Sequence, residues 1–419
     1  MTSRRPRAVI AQLDNFVGLQ TARLLAGNGV RVVGVARDPK APYSRTNRVE
    51  RVVTTRWGDD DAVVDALVAL GKDLGEKAVL FPTSDIVVRA ASRQRSILSE
   101  YYHLAMPEHD TVEMLMNKAR FLEFALREQL PIPPTRLLHS PADAERAAKE
   151  LAYPCVLKPA LRSARWDQGS KLKGYKVFDS REFLEVYGRV GGLADLLIAS
   201  EWIPGGEDHL YSCNFYYDAR SRPLCSFVAR KLRQWPPETG DSSLGEEVAD
   251  ERVREIALDM FGRVGYHGLG YLEVKKSAST GQYYAIEANI ARPTGRSALA
   301  EFCGVDLVYT MYCEKAGLPL PEHRLRQRFV GGKWIDDLSD TRSAYYRWRR
   351  GELTFRQWLR SRRGPKWHAI WSLRDPLPFV LELARFLWRR GQASLERPAP
   401  EAPGPRPEAD GVDRGPRPR

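Results

Sequence analysis

The sequence has few cysteines and lacks a long apolar run. Its five cysteines are scattered over 419 residues without a C-x-x-C pair, a pattern typical of reduced, mostly buried thiols. No uninterrupted apolar stretch is long enough to span a bilayer, and residues 1–7 carry no hydrophobic signal region. We therefore expect a cytoplasmic protein that is neither exported nor transmembrane.

Two common nucleotide-binding motifs are also missing. The turn after the first predicted strand holds only Gly18, where a dinucleotide fingerprint needs G-x-G-x-x-G. Gly169 and Gly174 have the spacing of a P-loop, but Tyr175 and Lys176 replace the required Lys-Ser/Thr pair. These departures exclude a P-loop and argue against a Rossmann dehydrogenase.

Basic residues are in excess, but the excess is local. The chain has 65 Lys and Arg against 53 Asp and Glu, a formal net charge of +12. Between residues 340 and 392, thirteen Lys and Arg face only four Asp and Glu, so most of the surplus lies in one carboxy-terminal segment. The first 339 residues are nearly balanced, and no nucleic-acid-binding module accompanies the charge. We therefore expect no nucleic-acid partner.

The pattern of apolar residues changes along the chain and predicts two to three globular units. Residues 8–81 alternate short apolar strands with helices, which is typical of a doubly wound parallel sheet. A helical run at 111–129 is followed by strands and turns that indicate an α+β region with antiparallel sheets. Residues 397–419 are dominated by Pro, Gly, Glu and Arg, and we expect them to be disordered.

Two carboxylates and an amide lie on adjoining predicted strands. Residues 268–274 and 282–289 both alternate apolar and polar positions, and a Ser-Ala-Ser-Thr-Gly turn follows the first, which predicts a hairpin. Glu273, Glu287 and Asn289 can therefore face one side of it. Mg²⁺ prefers oxygen ligands and keeps part of its coordination for phosphates, so this set suits a metal that carries ATP. A solvated edge strand is the alternative.

Two lysines stand at element boundaries. Lys118 begins a predicted helix, and Lys158 ends an apolar strand just before Pro159. A lysine is expensive to bury unless an anion meets it, and a triphosphate would supply that partner to both. The alternative is an ordinary solvated helix residue at Lys118 and a snorkelling strand end at Lys158.

Two connecting segments can also contact a nucleotide. Residues 162–176 are rich in glycine and hydrogen-bond donors, and they form either a lid over phosphates or a solvated basic loop. Residues 201–207 end a strand in a tight turn with a carboxylate on each side. The backbone of such a turn can pair with an adenine edge, and a carboxylate can accept hydrogen bonds from ribose hydroxyls.

Taken in order, these elements resemble the ATP-grasp superfamily of carboxylate-amine and carboxylate-thiol ligases. The resemblance covers roughly residues 8–320, including the Rossmann-like domain that usually precedes this fold. It implies an α/β and α+β chain with consecutive parts: a Rossmann-like pre-ATP-grasp domain at 1–112, a two-lobed ATP-grasp domain at 113–335 (small lobe about 113–195, large lobe about 196–335), a basic Trp/Arg-rich helical extension at 336–396 and a disordered tail at 397–419.

The resemblance also implies a role for each residue that matches a family motif. The implied nucleotide contacts are two phosphate-binding lysines, a lid, an adenine-binding hinge and a ribose-binding carboxylate: Lys118, Lys158, Ser170, Gly174, Glu201, Ile203 and Glu207. The implied ligands of two Mg²⁺ or Mn²⁺ ions are Glu273, Glu287 and Asn289. ATP and magnesium are therefore the implied cofactors.

Three arginines are implied to neutralise negative charge during phosphoryl transfer. Arg292 matches the arginine that steadies the acyl phosphate, but it falls three residues past Asn289 where many members have two, so Arg296 can share or replace it. Arg230 lies on a basic strand that either binds an anionic substrate or only pairs with Glu246, Glu247 or phosphates. The lid also departs from the family, because Arg162, Arg165 and Trp166 precede it in place of a compact Gly/Ser motif.

The implied activity is that of an ATP- and Mg²⁺-dependent ligase. It would activate a small-molecule carboxylate as an acyl phosphate for attack by an amine, forming an amide or peptide bond on an amino acid or envelope precursor. The Arg-Gln-Trp-Pro-Pro and Gly-Arg-Ser patterns resemble D-aspartate-ligase-like enzymes. A catalytically idle ATP-binding scaffold at the membrane surface and a biotin-carboxylase-like enzyme are open alternatives. A homodimer is a possible assembly.

The carboxy-terminal segment combines tryptophans with arginines. Residues 377–390 place Glu382, Arg385 and Arg389 on one helical face with apolar and aromatic residues elsewhere. This composition favours an interfacial helix on an anionic membrane, which would hold the protein peripherally on the inner face. Packing of the same helix against the catalytic body is the alternative.

Overall fold

The computed structural model describes residues 5–55, 60–160, 163–170, 172, 174–237, 240–325 and 327–395. The tail at 397–419 and Arg162 lie outside the described residues, so the expectations about them are untested. Among the described helices, none combines the length and apolarity needed to cross a bilayer. All five cysteines are buried free thiols, as their scattered positions predict.

The amino-terminal region is the predicted parallel sheet with helices. Its elements are β1 (Ala8–Ala11), α1 (Phe16–Gly27), β2 (Val32–Ala36), β3 (Arg51–Thr54), α2 (Asp60–Leu74), β4 (Ala78–Pro82), α3 (Asp85–Arg93), α4 (Arg95–Tyr101), β5 (Tyr102–His103) and α5 (His109–Met116). The strand order is β3-β2-β1-β4-β5, and every pair is parallel. Strands β1, β2 and β4 are buried along their whole length, which explains their continuous apolar sequences.

Residues 118–201 form an antiparallel sheet with helices, and we use the name small lobe for this region and large lobe for residues 210–335. The elements of the small lobe are α6 (Lys118–Arg127), β6 (Thr135–Leu138), α7 (Pro141–Glu150), β7 (Cys155–Pro159), α8 (Ala164–Gly169), β8 (Tyr175–Val177), α9 (Ser180–Val190) and β9 (Leu197–Glu201). The strand order is β6-β9-β7-β8. The helical run predicted at 111–129 is broken at Asn117, because its side chain accepts hydrogen bonds from the amides of Ala119 and Arg120 and starts a new helix at Lys118.

The large lobe is built around a seven-stranded sheet. Its elements are β10 (Leu210–Tyr217), β11 (Pro223–Trp235), β12 (Asp241–Glu247), α10 (Glu251–Arg263), β13 (Gly268–Lys276), β14 (Tyr283–Ile290), α11 (Gly295–Phe302), α12 (Leu307–Lys315) and β15 (Lys333–Ile335). Strands β10 and β11 pair antiparallel, as their alternating residues predict. Strand β14 forms one edge of the sheet next to β13.

The basic carboxy-terminal segment is mostly helical but also completes this sheet. It comprises α13 (Asp337–Arg349), α14 (Phe355–Ser361), β16 (Lys366–His368) and α15 (Leu377–Leu395). Strand β16 pairs in parallel with β15 and forms the other edge, giving the order β14-β13-β10-β11-β12-β15-β16. A segment expected to be a helical extension therefore contributes a strand to the large lobe, because main-chain groups at the edge of β15 provide its hydrogen-bond partners.

The apolar cores show which parts of the chain pack together. One core contains Val9 and Phe215, and a second contains Ile10 and Phe227, so both join the amino-terminal region to the large lobe. A third core, which includes Trp166, draws its buried residues only from positions 138–199. The four-stranded sheet with α7, α8 and α9 therefore has a core of its own, whereas Phe124 and Ala125 of α6 belong to the first core.

Candidate active site

The hairpin of β13 and β14 brings the predicted acidic residues together. Glu273 lies directly opposite Glu287 in the antiparallel register, with an irregularity between Glu273 and Val274. Opposed residues of an antiparallel pair project on the same side, and so do residues two apart on one strand. Glu273, Glu287 and Asn289 therefore share one face of the hairpin, as the alternation of the sequence predicts.

The electrostatics of Glu287 indicate a crowded polar cleft. Its side chain touches solvent, yet the protein around it removes much of the surrounding water, and this desolvation raises its pKa. The negative charge of Glu273 raises the pKa of Glu287 further, whereas the charges of Lys118 and Lys158 act in the opposite direction. One acid and two lysines from three separate elements thus act on the charge of Glu287.

The two lysines face these acids from the small lobe. Lys118 is the first residue of α6 and is exposed, while Lys158 lies at the end of β7. Desolvation lowers the pKa of Lys158, the charge of Lys118 lowers it further, and Glu287 opposes both. Because neither lysine forms an ion pair with a carboxylate among the described residues, the pair is available to a strongly anionic ligand.

The predicted lid is more structured than the sequence indicates. Residues 164–169 form α8, which begins with Ser163 accepting a hydrogen bond from the Trp166 amide. Trp166 is fully buried, and its indole donates to the carbonyl of Leu172 at 2.9 Å. Ser170 is also buried and bonds the Tyr175 hydroxyl at 2.8 Å. A buried tryptophan therefore anchors the segment that was expected to be a flexible loop; Lys171 and Lys173 lie outside the described residues.

Gly174 lies against the strand that carries Lys158. A Cβ atom at this position would come within 2.9 Å of the Leu157 carbonyl oxygen and 3.1 Å of Lys158 Cβ. The close approach requires glycine and places the end of the predicted lid next to a phosphate-binding candidate.

The predicted adenine hinge is the end of β9. The carboxylate of Glu201 accepts a hydrogen bond from the Ala152 amide at 2.8 Å, and the Trp202 amide donates to the Pro154 carbonyl at 2.8 Å. Ile203 is buried with 8% of its surface exposed. The hinge is thus held against the small-lobe sheet, while its contact with adenine stays a prediction.

Glu207, the predicted ribose contact, is bound within the protein. Its Oε1 lies 2.7 Å from an Arg347 nitrogen, and its Oε2 accepts a hydrogen bond from the backbone amide of Gln234 at 3.0 Å. The sequence did not predict these contacts, because Arg347 belongs to the carboxy-terminal segment.

Two of the three predicted arginines already pair with protein groups. Arg292 donates to Asp85 Oδ1 and to Asn289 Oδ1, both at 2.6 Å. Burial disfavours its charge, but Asp85 outweighs this effect and raises the pKa of Arg292. Arg230 pairs with Glu246, which also accepts from Lys333 at 2.8 Å. Arg230 therefore forms one of the pairs that the sequence offered as an alternative, and its role at an anionic substrate stays a prediction.

Arg296 differs from both. It is 9% exposed, its guanidinium lies over the Trp334 ring at 5.3 Å, and burial lowers its pKa. Its Nε has no hydrogen-bond partner among the described residues. A buried cation without a carboxylate partner is costly, so Arg296 is the strongest candidate for binding an anionic group.

Two further residues of the site were missed. Lys231 forms an ion pair with Glu273 at 3.1 Å, and Tyr271 lies opposite Asn289 on the carboxylate-bearing face. Burial and the charges of Glu273 and Glu287 raise the pKa of Tyr271. Tyr271 follows the same alternation as Glu273 and could have been found in the sequence, whereas the Lys231 contact requires the order of the strands.

The residues on the hairpin fit a hard divalent cation. In the described part of the chain, no three or more His, Cys, Asp or Glu side chains form a group that could by itself hold a metal ion. Two carboxylates and an amide oxygen are ligands that Mg²⁺ and Mn²⁺ accept, with coordination positions left for phosphate oxygens. Desolvation and, after it, the charge of Glu273 raise the pKa of Glu287, and a bound cation would counteract both effects.

Comparisons with known proteins give the fold. No family model matches the chain. It is 26% identical over 192 residues to the D-alanine–D-alanine ligase of Xanthomonas axonopodis pv. citri, covering 42% of this chain and 55% of that protein. The corresponding ligase of Methylococcus capsulatus is 32% identical over 194 residues, covering 45% and 51%. The chain thus spans about half the length of these curated relatives.

A solved structure extends the likeness to most of the chain. The crystal structure of an L-amino acid ligase from Bacillus licheniformis matches with a TM-score of 0.58 at 18% identity, covering 78% of each chain. At this identity the match establishes the fold. The resemblance inferred from the ordered motifs is confirmed, and the chain has the fold of the ATP-grasp superfamily.

Proposed function

We propose that the chain is an ATP- and Mg²⁺-dependent ligase that activates a carboxylate as an acyl phosphate for attack by an amine. The observation that carries this proposal is the pairing of Glu273 with Glu287 on one face, opposed by the charges of Lys118 and Lys158. The relatives' names describe ligases of amino acids, which supports an amino acid as one substrate.

Each group has a role that follows from its charge and place. Glu273, Glu287 and Asn289 would hold Mg²⁺ or Mn²⁺, which when bound supplies positive charge at the phosphate oxygens. Lys118 and Lys158 bind the phosphates of ATP from the small lobe. An oxygen of the substrate carboxylate attacks the γ-phosphorus, and ADP leaves.

The second step replaces phosphate with the amine. The neutral amine nitrogen attacks the acyl carbon, the tetrahedral intermediate collapses, and inorganic phosphate departs with the electron pair of the C–O bond while the nitrogen releases one proton to the departing phosphate. We assign the binding of the developing negative charge to Arg296, because Arg292 is already paired with Asp85 and Asn289. Arg292 then positions the Asn289 amide, and Arg230 holds Glu246.

The other predicted contacts complete the nucleotide site. Ser170 and Gly174 border the segment over the phosphates, Glu201 and the Ile203 backbone hold the adenine, and Glu207 binds the ribose. In this proposal ATP lies between a small lobe, which ends with β9 at residue 201 and not at about 195 because β9 pairs with β6 and β7, and a large lobe that extends to about 335, behind a pre-ATP-grasp domain at 1–112.

The ligase is tested by its products. Purified protein with Mg²⁺ and ATP should release ADP and phosphate only when a suitable carboxylate and amine are both present in a panel of amino acids and small carboxylates. Glu287→Ala should abolish this release while the circular dichroism spectrum is retained. Unchanged turnover in Glu287→Ala would contradict the metal site, and no release across the panel would favour an ATP-binding scaffold.

We also propose that α15 contacts an anionic membrane surface from the cytoplasmic side. Several large apolar side chains of this region are exposed: Leu373, Leu377, Val380, Leu387 and Trp388. Those on α15 occupy positions i, i+3, i+10 and i+11, which places them on one helical face beside Arg385. Flotation with liposomes of anionic or neutral lipid tests this; equal flotation of full-length protein and a variant lacking residues 377–395 would refute it.

We retain a homodimer as a proposal for the assembled enzyme, which sedimentation velocity of the full chain tests. A single monomer peak at micromolar concentration would contradict it.

A further inference from the structure

Helix α13 presents one face to the catalytic body. Asp340, Ser343, Ala344 and Arg347 recur at positions i, i+3, i+4 and i+7, which places them on one side of the helix. Asp340 and Ser343 are fully buried, and Ala344 is 7% exposed. Most of this face is therefore part of the protein interior.

The same face reaches the predicted ribose contact by two routes. Asp340 forms an ion pair with Arg233 of β11 at 2.7 Å. The residue after Arg233, Gln234, donates a hydrogen bond from its backbone amide to Glu207 at 3.0 Å. Two helical turns further along, Arg347 pairs directly with Glu207 at 2.7 Å. Helix α13 and strand β11 thus hold one carboxylate between them.

The segment before Glu207 is fixed from the other side. The Lys275 ammonium donates to the carbonyls of Gly205 and Gly206, both at 2.7 Å. The side chain of Glu207 is 8% exposed, and a carboxylate so buried is stable only when a charged partner accompanies it. The planar guanidinium of Arg347 supplies this charge in a fixed direction. Since a carboxylate has about four lone-pair positions, Glu207 held in this way can also accept a hydroxyl donor.

We propose that Arg347 is a positioning residue for the ribose of ATP, so that the carboxy-terminal segment is part of the nucleotide site. It neutralises Glu207 and holds its carboxylate in the orientation that the sugar hydroxyls need. This inference rests on the proposed function, because it takes Glu207 as the ribose contact. If Arg347 instead blocked Glu207, replacing Arg347 would strengthen the binding of ATP.

The test compares ATP with 2′,3′-dideoxy-ATP, which lacks both ribose hydroxyls. Dissociation constants with Mg²⁺ are measured by calorimetry for the full-length protein, Arg347→Met and the matched control Arg349→Met, which removes an exposed charge from the end of the same helix. The unaltered protein should prefer ATP by about tenfold, as expected for hydrogen bonds to a charged group. Arg347→Met should lose this preference because it weakens the binding of ATP and not that of dideoxy-ATP, and Arg349→Met should retain the preference.

A general loss of folding would weaken the binding of both nucleotides equally and would contradict the proposal. The ratio of the two dissociation constants therefore separates an effect on positioning from an effect on stability. Arg347→Lys, which keeps the charge without the fork geometry, should show an intermediate preference. An unchanged preference in Arg347→Met and Arg347→Lys, or tighter ATP binding by either, would overturn the inference while leaving the ligase intact. Failure of the unaltered protein to bind Mg-ATP would instead overturn the proposed function itself.

Discussion

Glu287 shows how a site residue opposes stability. The protein around it and the charge of Glu273 both disfavour its ionised form, so its pKa is raised in the folded state. Folding then takes up a proton at Glu287, and stability falls as the pH rises from the ordinary glutamate value through the raised one. In the proposed metal site, the ionised Glu287 thus weakens the fold when no cation is bound.

Glu287→Gln should therefore stabilise the protein in EDTA. The amide resembles the protonated acid, so the variant should melt at a higher temperature than the unaltered protein at pH 7, with the difference vanishing near pH 4. Scanning calorimetry across this range is the measurement. Glu123→Gln, at an exposed position of α6, should show no comparable difference in melting temperature from the unaltered protein. An equal difference in both variants would contradict the account.

Individual residues differ in how far the sequence reveals them. Alternation along one strand places Glu287 and Asn289 on one face without further information, because the period of a strand is two residues. The partner of Glu207 could not be found in this way. Arg347 is distant in sequence, and nothing in its basic surroundings distinguishes it from Arg349.

Helix α13 is the element whose contacts most affect stability. Arg233 and Asp340 form an ion pair in which the side chains are 5% and 0% exposed. Removing one partner leaves the other charge buried without compensation. Asp340 also accepts from the Trp358 indole at 2.8 Å, so it joins α13 to α14 as well.

Asp340→Ala should lower the free energy of unfolding by about 3–5 kcal/mol, as measured by urea denaturation. The control is Glu150→Ala, whose partner Arg136 is half exposed, and it should cost less than about 1 kcal/mol. Similar losses in the two variants would show that α13 is only loosely attached.

The elements that the sequence predicted least well are short. Helix α8 was expected to be a loop because its glycine and basic neighbours obscured two signals, the Ser163 cap and the apolar Trp166. Strand β16 has three residues, too few to show an alternating pattern, and depends on pairing with β15. In both cases tertiary contacts outweigh local sequence.

At the scale of the whole molecule, two bodies meet at the proposed ATP site. The amino-terminal region shares cores with the large lobe. The carboxy-terminal segment is attached to the amino-terminal region by the buried ion pair of Arg23 with Asp375 at 2.9 Å. The four-stranded sheet of the small lobe has a separate core. Lys158 belongs to the small lobe and Glu287 to the large lobe, so a nucleotide between them would join the two.

Mg-ATP should therefore slow amide exchange mainly in the small lobe. Hydrogen exchange followed by mass spectrometry should show increased protection of residues 135–201 on addition of Mg-ATP, with smaller changes in the parallel sheet at residues 8–82. Protection gained equally in both regions would contradict this division.

The most direct test of the central claim is Mg²⁺-dependent ATP binding by Glu287→Ala, measured by calorimetry beside the unaltered protein and Glu123→Ala. The account predicts that the unaltered protein and Glu123→Ala bind ATP with Mg²⁺ and lose affinity in EDTA, while Glu287→Ala gains no affinity from Mg²⁺. Equal, Mg²⁺-dependent affinity in all three proteins would show that the Glu273, Glu287 and Asn289 face is not the metal site.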